Sequence, residues 1–234
     1  MIDGPTLLAD ALTAGVVVEE VFTSGEHGEV VDAAAGAGAA VREVAAEVLA
    51  RATDTVTPQG IAAVARRVEI PLDDALVASG SGPLTLVLVD VADPGNAGTL
   101  IRAAEAAGAA AVLFCGSSVD PSNGKCVRAS AGALFHVPIA VGGDVGPVLE
   151  RLGDLGVRRA ATVVQGGRAY DQVDLTRPVA LVLGSEAHGL PASTLAVVDE
   201  LVTIPMEGRS ESLNVAMAGS VLCFESLRQR RAVR

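Results

Sequence analysis

Three stretches of this chain carry polar side chains that packing does not require, each after an apolar run and next to glycine or proline. They are DPGNAGTLIRAAEAAG from Asp93 to Gly108, LVLGSEAHGLP from Leu181 to Pro191, and IPMEGRSESLNVAMAGSVLCFES from Ile204 to Ser226. A strand, a loop and a helix start in succession expose unpaired backbone N–H groups beside small polar side chains, a setting suited to holding a ligand. Several chemistries lack their usual handles. Gly124-Lys125 has no glycine at Walker spacing before it, and neither a GxGxxG after a strand nor a G-x-S-x-G elbow is present. Gly36-Ala-Gly38 lacks the third glycine of a dinucleotide loop and reads as a turn. Cys115, Cys126 and Cys223 form no CxxC or zinc pattern, so they read as reduced, buried small hydrophobes, and no metal is expected.

The elements that must position these loops follow from composition and pattern. The chain has 234 residues, 50% of them hydrophobic and 19% charged, which excludes disorder. Aromatics are only 2%, with no Trp, so the core must be built from small and β-branched side chains. No apolar run approaches the roughly 20 residues of a bilayer-spanning helix. MIDGPTLLAD lacks the pattern of a secretory signal, which points to the cytoplasm and away from a membrane.

LTLVLVD, Leu84 to Asp90, is the continuous apolar run of a parallel strand covered on both faces. A helix over 97–107 and the apolar AAAVLFC complete a βαβ unit. Further strands are expected at 160–164, 179–183 and 201–204, with helices near 126–134, 145–155 and 212–228. The result is an α/β domain with an open parallel sheet, where ligands sit beyond the carboxyl ends of the strands. Before it, helices alternate with strands at 16–22, 39–44 and 61–67, and a helix spans 30–40, as in a small α/β/α sandwich. VASGSGP, Val77 to Pro83, is the short turn-like stretch between the two patterns, giving domains at 1–78 and 84–234.

Residues 1–80 hold four arginines against thirteen carboxylates, a net charge of −9, and the remainder is −2. Arg228, Arg230, Arg231 and Arg234 crowd the last stretch. Composition alone argues against a broad grip on nucleic acid.

The three segments nevertheless resemble, in order, the motifs of the SpoU/TrmH-type RNA ribose 2'-O-methyltransferases of the SPOUT superfamily. The matching runs are N-A-G-T-L-I-R at Asn96 to Arg102, L-G-S-E-x-x-G-L at Leu183 to Leu190, and I-P-M with S-L-N-V-A at Ile204 to Ala216. DPSNGKCVRASAGALFHVPI is similar to the family's linking region, and DGPTLLADAL with TPQGIAAVA to its L30e-like substrate-binding domain. The resemblance implies an open parallel sheet ending in a trefoil knot, a homodimer with the active site at its interface, and S-adenosyl-L-methionine as cofactor. By matching position it assigns Gly184, Ile204, Met206 and Leu213 to the cofactor and Asn96, Arg102, Glu186, Ser212 and Asn214 to catalysis. It implies RNA as partner, ribosomal rather than transfer RNA because of the first domain, and neither DNA nor a membrane.

A guanidinium stays protonated, so Arg102 suits clamping a phosphate and a developing alkoxide better than acting as a base. Several residues also carry plain structural readings. Glu186 and Ser212 could be helix N-caps, whereas Asn214 inside a helix would be a mediocre helix former. His188 reads as a loop residue, and Lys125 and Arg128 as a solvated face or part of an RNA track. A resistance methyltransferase, a transfer-RNA enzyme and an RNA-binding assembly protein remain open as alternatives.

Overall fold

The computed structural model describes residues 1–53 and 58–233. Thr57 of the TPQGIAAVA motif and Arg234 of the arginine cluster lie outside the described residues.

The first part of the chain runs β1 (Ile2–Asp3), α1 (Pro5–Thr13), β2 (Val18–Thr23), α2 (Gly28–Gly36), β3 (Ala40–Glu43), α3 (Ala46–Ala52) and β4 (Ile61–Ala65). Its sheet has the order β1-β4-β2-β3, with only β2 and β3 parallel. Pro5 pre-sets the first turn of α1, whose Leu8 and Ala11 share a core with Ala34 of α2, Val21 and Ile61. The helix expected over 30–40 stops at Gly36, because the chain must already be extended at Ala40 to pair with β2.

The second part begins with α4 (Leu72–Ser81) and continues β5 (Leu84–Val89), α5 (Pro94–Ala106), β6 (Ala111–Cys115), α6 (Gly124–Ala129), β7 (Ile139–Gly143), α7 (Val145–Asp154), β8 (Arg158–Thr162), β9 (Arg168–Ala169), β10 (Val179–Leu183), α8 (Ala192–Leu195), β11 (Glu200–Thr203) and α9 (Val215–Ala232). Single 3-10 turns occur at Ala133–Phe135 and Tyr170–Gln172. The sheet is open and parallel, in the order β7-β6-β5-β10-β8-β11-β9. All residues of β5, β6 and β10 are buried, as their uninterrupted apolar sequences require.

Most of the segment read as a turn-like join, Val77 to Pro83, is the C-terminal half of α4. Ala75 and Leu76 of that helix are fully buried against β5, β6 and β10, so the change of core comes before Leu72. Ser79 is buried in that helix, its hydroxyl donating to Ala75 O at 2.8 Å. The two sheets are tied by Ile70 N–H to Ile139 O at 2.8 Å, Arg67 to Asp120 at 2.6 Å and His136 to Asp10 at 3.0 Å. Phe135 packs against both cores.

Past β11, the outermost strand but one, the chain crosses back over the carboxyl ends of β8 and β10 to lay α9 against α5. Gly219 of α9 allows this approach, because a Cβ there would strike Leu100 and Leu183.

Candidate active site

Beyond the carboxyl ends of β8, β10 and β11 lies a cavity of about 490 Å³. Its aliphatic side comes from Val164, Leu183, Ile204, Leu213 and Ala218, and its rim from the backbone of the 184–189 loop. Gly184, Ile204, Met206 and Leu213, the four positions expected to hold a cofactor, all line it. So do Glu186, Ser212 and Asn214, whereas Asn96 and Arg102 do not.

The 184–189 loop turns back on itself through reciprocal backbone bonds between Ser185 and Gly189, at 3.1 and 2.9 Å. The turn closes tightly enough that a Cβ on Gly184 would lie 2.5 Å from Gly189 C and 2.7 Å from Leu190 N. Gly189 itself has φ of +66°, a left-handed conformation that glycine adopts without strain. This loop leads into no helix at Glu186, so the carboxylate is exposed and not an N-cap.

Asn96 is brought to the rim by α5. Asp93 caps that helix, its Oδ1 accepting from Asn96 N–H at 2.8 Å, and Pro94 occupies the first helical position. Lys125 donates to the other carboxylate oxygen of Asp93 at 3.1 Å. The Asn96 N–H bond and the Lys125 ammonium hold the Asp93 carboxyl below the usual carboxylate range.

Asn214 sits at the start of α9. Residues 212–213, expected inside that helix, precede it, and the N-cap is Asn214 rather than Ser212. Its Oδ1 accepts from Ala216 N–H at 2.9 Å and Met217 N–H at 3.3 Å. Asn, a mediocre helix former in a helix interior, is here a favoured cap. Its remaining donor, Nδ2, reaches Asn96 Oδ1 at 2.9 Å, and Asn96 Nδ2 donates in turn to Glu186 Oε1 at 2.9 Å.

Three motif residues from three separate segments thus form one hydrogen-bonded chain at the mouth of the cavity. Arg102 is exposed six residues further along α5 than Asn96. Ser212 is exposed at the rim without joining the chain. Sequence reasoning missed Thr162, Val163 and Val164, which line the cavity beyond β8. Burial pushes all three cysteine thiols up to about 12, in keeping with reduced core residues.

The model of the SpoU rRNA Methylase family matches residues 83–224. The chain belongs to that family. Residues 1–71 match a second model, RNA 2'-O ribose methyltransferase substrate binding. Among curated SpoU relatives, the 23S rRNA (guanosine(2553)-2'-O)-methyltransferase RlmP of Bacillus subtilis is 33% identical over 96% of this chain and 86% of its own. The 23S rRNA (guanosine-2'-O-)-methyltransferase RlmB of Bordetella pertussis is 36% identical over 83% of this chain and 80% of its own. Among solved structures, the AdoMet-bound rRNA methyltransferase from Sinorhizobium meliloti superposes with a TM-score of 0.87 at 32% identity, covering 97% of this chain and 85% of that one.

The SpoU cavity described here fits S-adenosyl-L-methionine. Aliphatic side chains suit an adenine ring and a methionyl chain, the backbone of the 184–189 loop borders them with polar groups, and the Gly184 cradle leaves no room for a side chain.

Proposed function

We propose that this SpoU protein methylates a ribose 2'-hydroxyl of RNA, with ribosomal RNA as its substrate class. The observation that carries the reading is the Glu186–Asn96–Asn214 chain at the mouth of a cavity that fits the cofactor. The match of residues 1–71 to an RNA substrate-binding model and the 23S rRNA enzymes among the relatives support the substrate class.

When bound, S-adenosyl-L-methionine supplies an electrophilic sulfonium methyl. Gly184, Ile204, Met206 and Leu213 would hold it, and the task left to the other residues is alignment. The relay fixes the faces of both amides: Asn96 has its oxygen on Asn214 and its nitrogen on Glu186. The loop bearing Glu186 and the start of α9 are thereby locked together across the entrance. Arg102 would clamp a phosphate and the ribose oxygen, its permanent charge lowering the cost of the alkoxide as the proton leaves. Ser212 would orient the nucleotide from the rim.

The same reading makes the protein a homodimer. Met217, Val221 and Phe224 follow α9 at helical spacing and are 60%, 37% and 50% exposed, an apolar stripe starting within a turn of Asn214. A second copy placed there would cover the stripe and complete the site. The return passage from β11 to α9 is the route that a trefoil knot takes, which supports the knotted form of the fold. No helix among the described residues is long and apolar enough to cross a membrane, and ribosomal RNA as substrate supports a cytoplasmic location.

The test is incubation with methyl-labelled S-adenosyl-L-methionine and deproteinised ribosomal or transfer RNA, followed by nucleoside mass spectrometry. A 2'-O-methyl nucleoside from the ribosomal fraction is the expected product. Label only in transfer RNA would move the substrate class, and no incorporation into either would overturn the reading.

A further inference from the structure

Residues 1–71 match an RNA substrate-binding model, yet residues 1–80 carry a net charge of −9. A broad electrostatic grip on phosphates is not available to such a surface. Contact with RNA must concentrate where the few cations are, and two of the four arginines in this stretch, Arg66 and Arg67, are adjacent and line one cleft.

That cleft, about 290 Å³, lies where the two sheets meet. One wall is Ile2 and the segment 65–68, and the other is Ser122, Leu134 and Phe135. Phe135 is one of only four phenylalanines in a chain without tryptophan, and it is partly exposed there. Arg66 and Arg67 have side chains 70% and 66% exposed. Arg66 spends its Nε on Glu19 at 3.1 Å, and Arg67 directs its terminal nitrogens to Asp120 at 2.6 Å and Glu69 at 3.5 Å. A guanidinium offers five donors, and exposed ion pairs of this kind are weak, so both forks can take an incoming phosphate. Paired donors beside an aromatic and an apolar wall are what recognition of an unstacked nucleotide uses.

The segment that lines the cleft also reaches the cap of α5. Ser122 lines the cleft, and three residues later Lys125 reaches across to Asp93, the carboxylate that caps α5 beside Asn96.

We propose that this cleft holds an unstacked nucleotide of the substrate RNA, with its phosphate on Arg66 and Arg67 and its base on the Phe135 side. The proposal rests on the methyltransferase reading above and names where the acidic first domain touches its substrate.

The test is methyl transfer to deproteinised bacterial 23S ribosomal RNA by the full chain and by the Arg66→Gln, Arg67→Gln double variant, across a series of salt concentrations. The expected result is a KM for RNA raised about tenfold, an unchanged KM for S-adenosyl-L-methionine, and a salt dependence flatter by roughly one logarithmic unit per unit. An RNA KM and salt slope equal to those of the unaltered protein would overturn the proposal. Should the double variant fail to fold, the single Arg66→Gln variant leaves the Arg67–Asp120 pair in place and is expected to raise the RNA KM and flatten the salt slope in part, and an unchanged RNA KM and slope in it would equally overturn the proposal.

A second measurement reads the cleft without catalysis. Irradiation of the unaltered protein with 4-thiouridine-substituted 23S RNA should crosslink the peptide containing Leu134 and Phe135, and crosslinks confined to other regions would count against the cleft. Absence of methyl transfer by the unaltered protein would instead fail the earlier reading, with the crosslink still deciding this one.

Discussion

Asn214 and Asn96, 118 residues apart in the chain, meet amide to amide, with Asn214 Nδ2 donating to Asn96 Oδ1 at 2.9 Å. Each comes from the first turn, or the cap, of its own helix, and the two helices pack together through Gly219 against Leu100. The contact therefore reports the register of α5 against α9, and Asn96 passes it on to Glu186.

Replacing the middle of this chain should hurt more when the replacement repels. Asn96→Ala removes both bonds, and we expect kcat/KM to fall about a hundredfold, about 2.8 kcal/mol at roughly 1.4 kcal/mol per factor of ten. Asn96→Asp sets a carboxylate against Glu186 and is expected to be worse. Methyl-transfer kinetics of the two variants, with cofactor affinity measured by calorimetry, check the order.

Asn214 has two duties that substitution can separate. Asn214→Ala loses the cap on Ala216 and Met217 N–H and should cost about 1 kcal/mol, or about 2–4 °C in Tm. Asn214→Asp keeps a capping oxygen and loses the donor to Asn96, so stability is expected to survive while activity falls. Scanning calorimetry beside turnover distinguishes the two.

Gly184→Ala should act on the cofactor. The added carbon would meet backbone of Gly189 and Leu190 within 2.7 Å, and backbone cannot rotate away as a side chain can. The loop has to open, at a cost of about 1–3 kcal/mol by analogy with overpacked sites. We expect at least a tenfold loss of S-adenosyl-L-methionine affinity by calorimetry.

The Asp93 carboxyl lies below its ordinary range because Asn96 N–H and Lys125 favour the charged form. A depressed value stabilises the fold above the unfolded pKa, about 3.9, and the gain is lost as pH falls through the lower folded value. Asp93→Asn keeps a good cap but removes the charge. Its stability deficit against the unaltered protein should be constant above about pH 5 and vanish in stronger acid, as urea titrations at several pH values would show.

Phe224→Glu places a charge in the exposed stripe of α9 without touching the core. We expect it to yield monomers by sedimentation and to lose activity although the relay residues are intact. A monomeric variant of full activity would remove the need for a second copy.

Much of this was legible in the sequence, for physical reasons. β5, β6 and β10 announce themselves because a strand covered on both faces has no polar residues to interrupt it. β7, with the sequence IAVGG, escaped because its three last residues are not buried and two are glycine. α4 does not declare itself because VASGS lacks large side chains and its buried member is Ser79, which satisfies its hydroxyl on Ala75 O. The polar members of the site stood out by type, since nothing in a core explains an Asn or Glu after an apolar strand. Thr162 to Val164 did not, because strand order, which places β8 between β10 and β11, cannot be read from the linear pattern.

The return of the chain from β11 to α9 has a consequence in time. The cavity draws on residues from Thr162 to Leu222, and its entrance is held by Asn214 at the head of the last helix. A nascent chain can complete both sheets before Leu213, Asn214 and α9, which finish the cavity and its entrance, have been made. Competence then arrives in one late step, when α9 has been made and has passed back across the finished strands. A chain stalled short of that helix would be folded over most of its length and without any activity, not partially active.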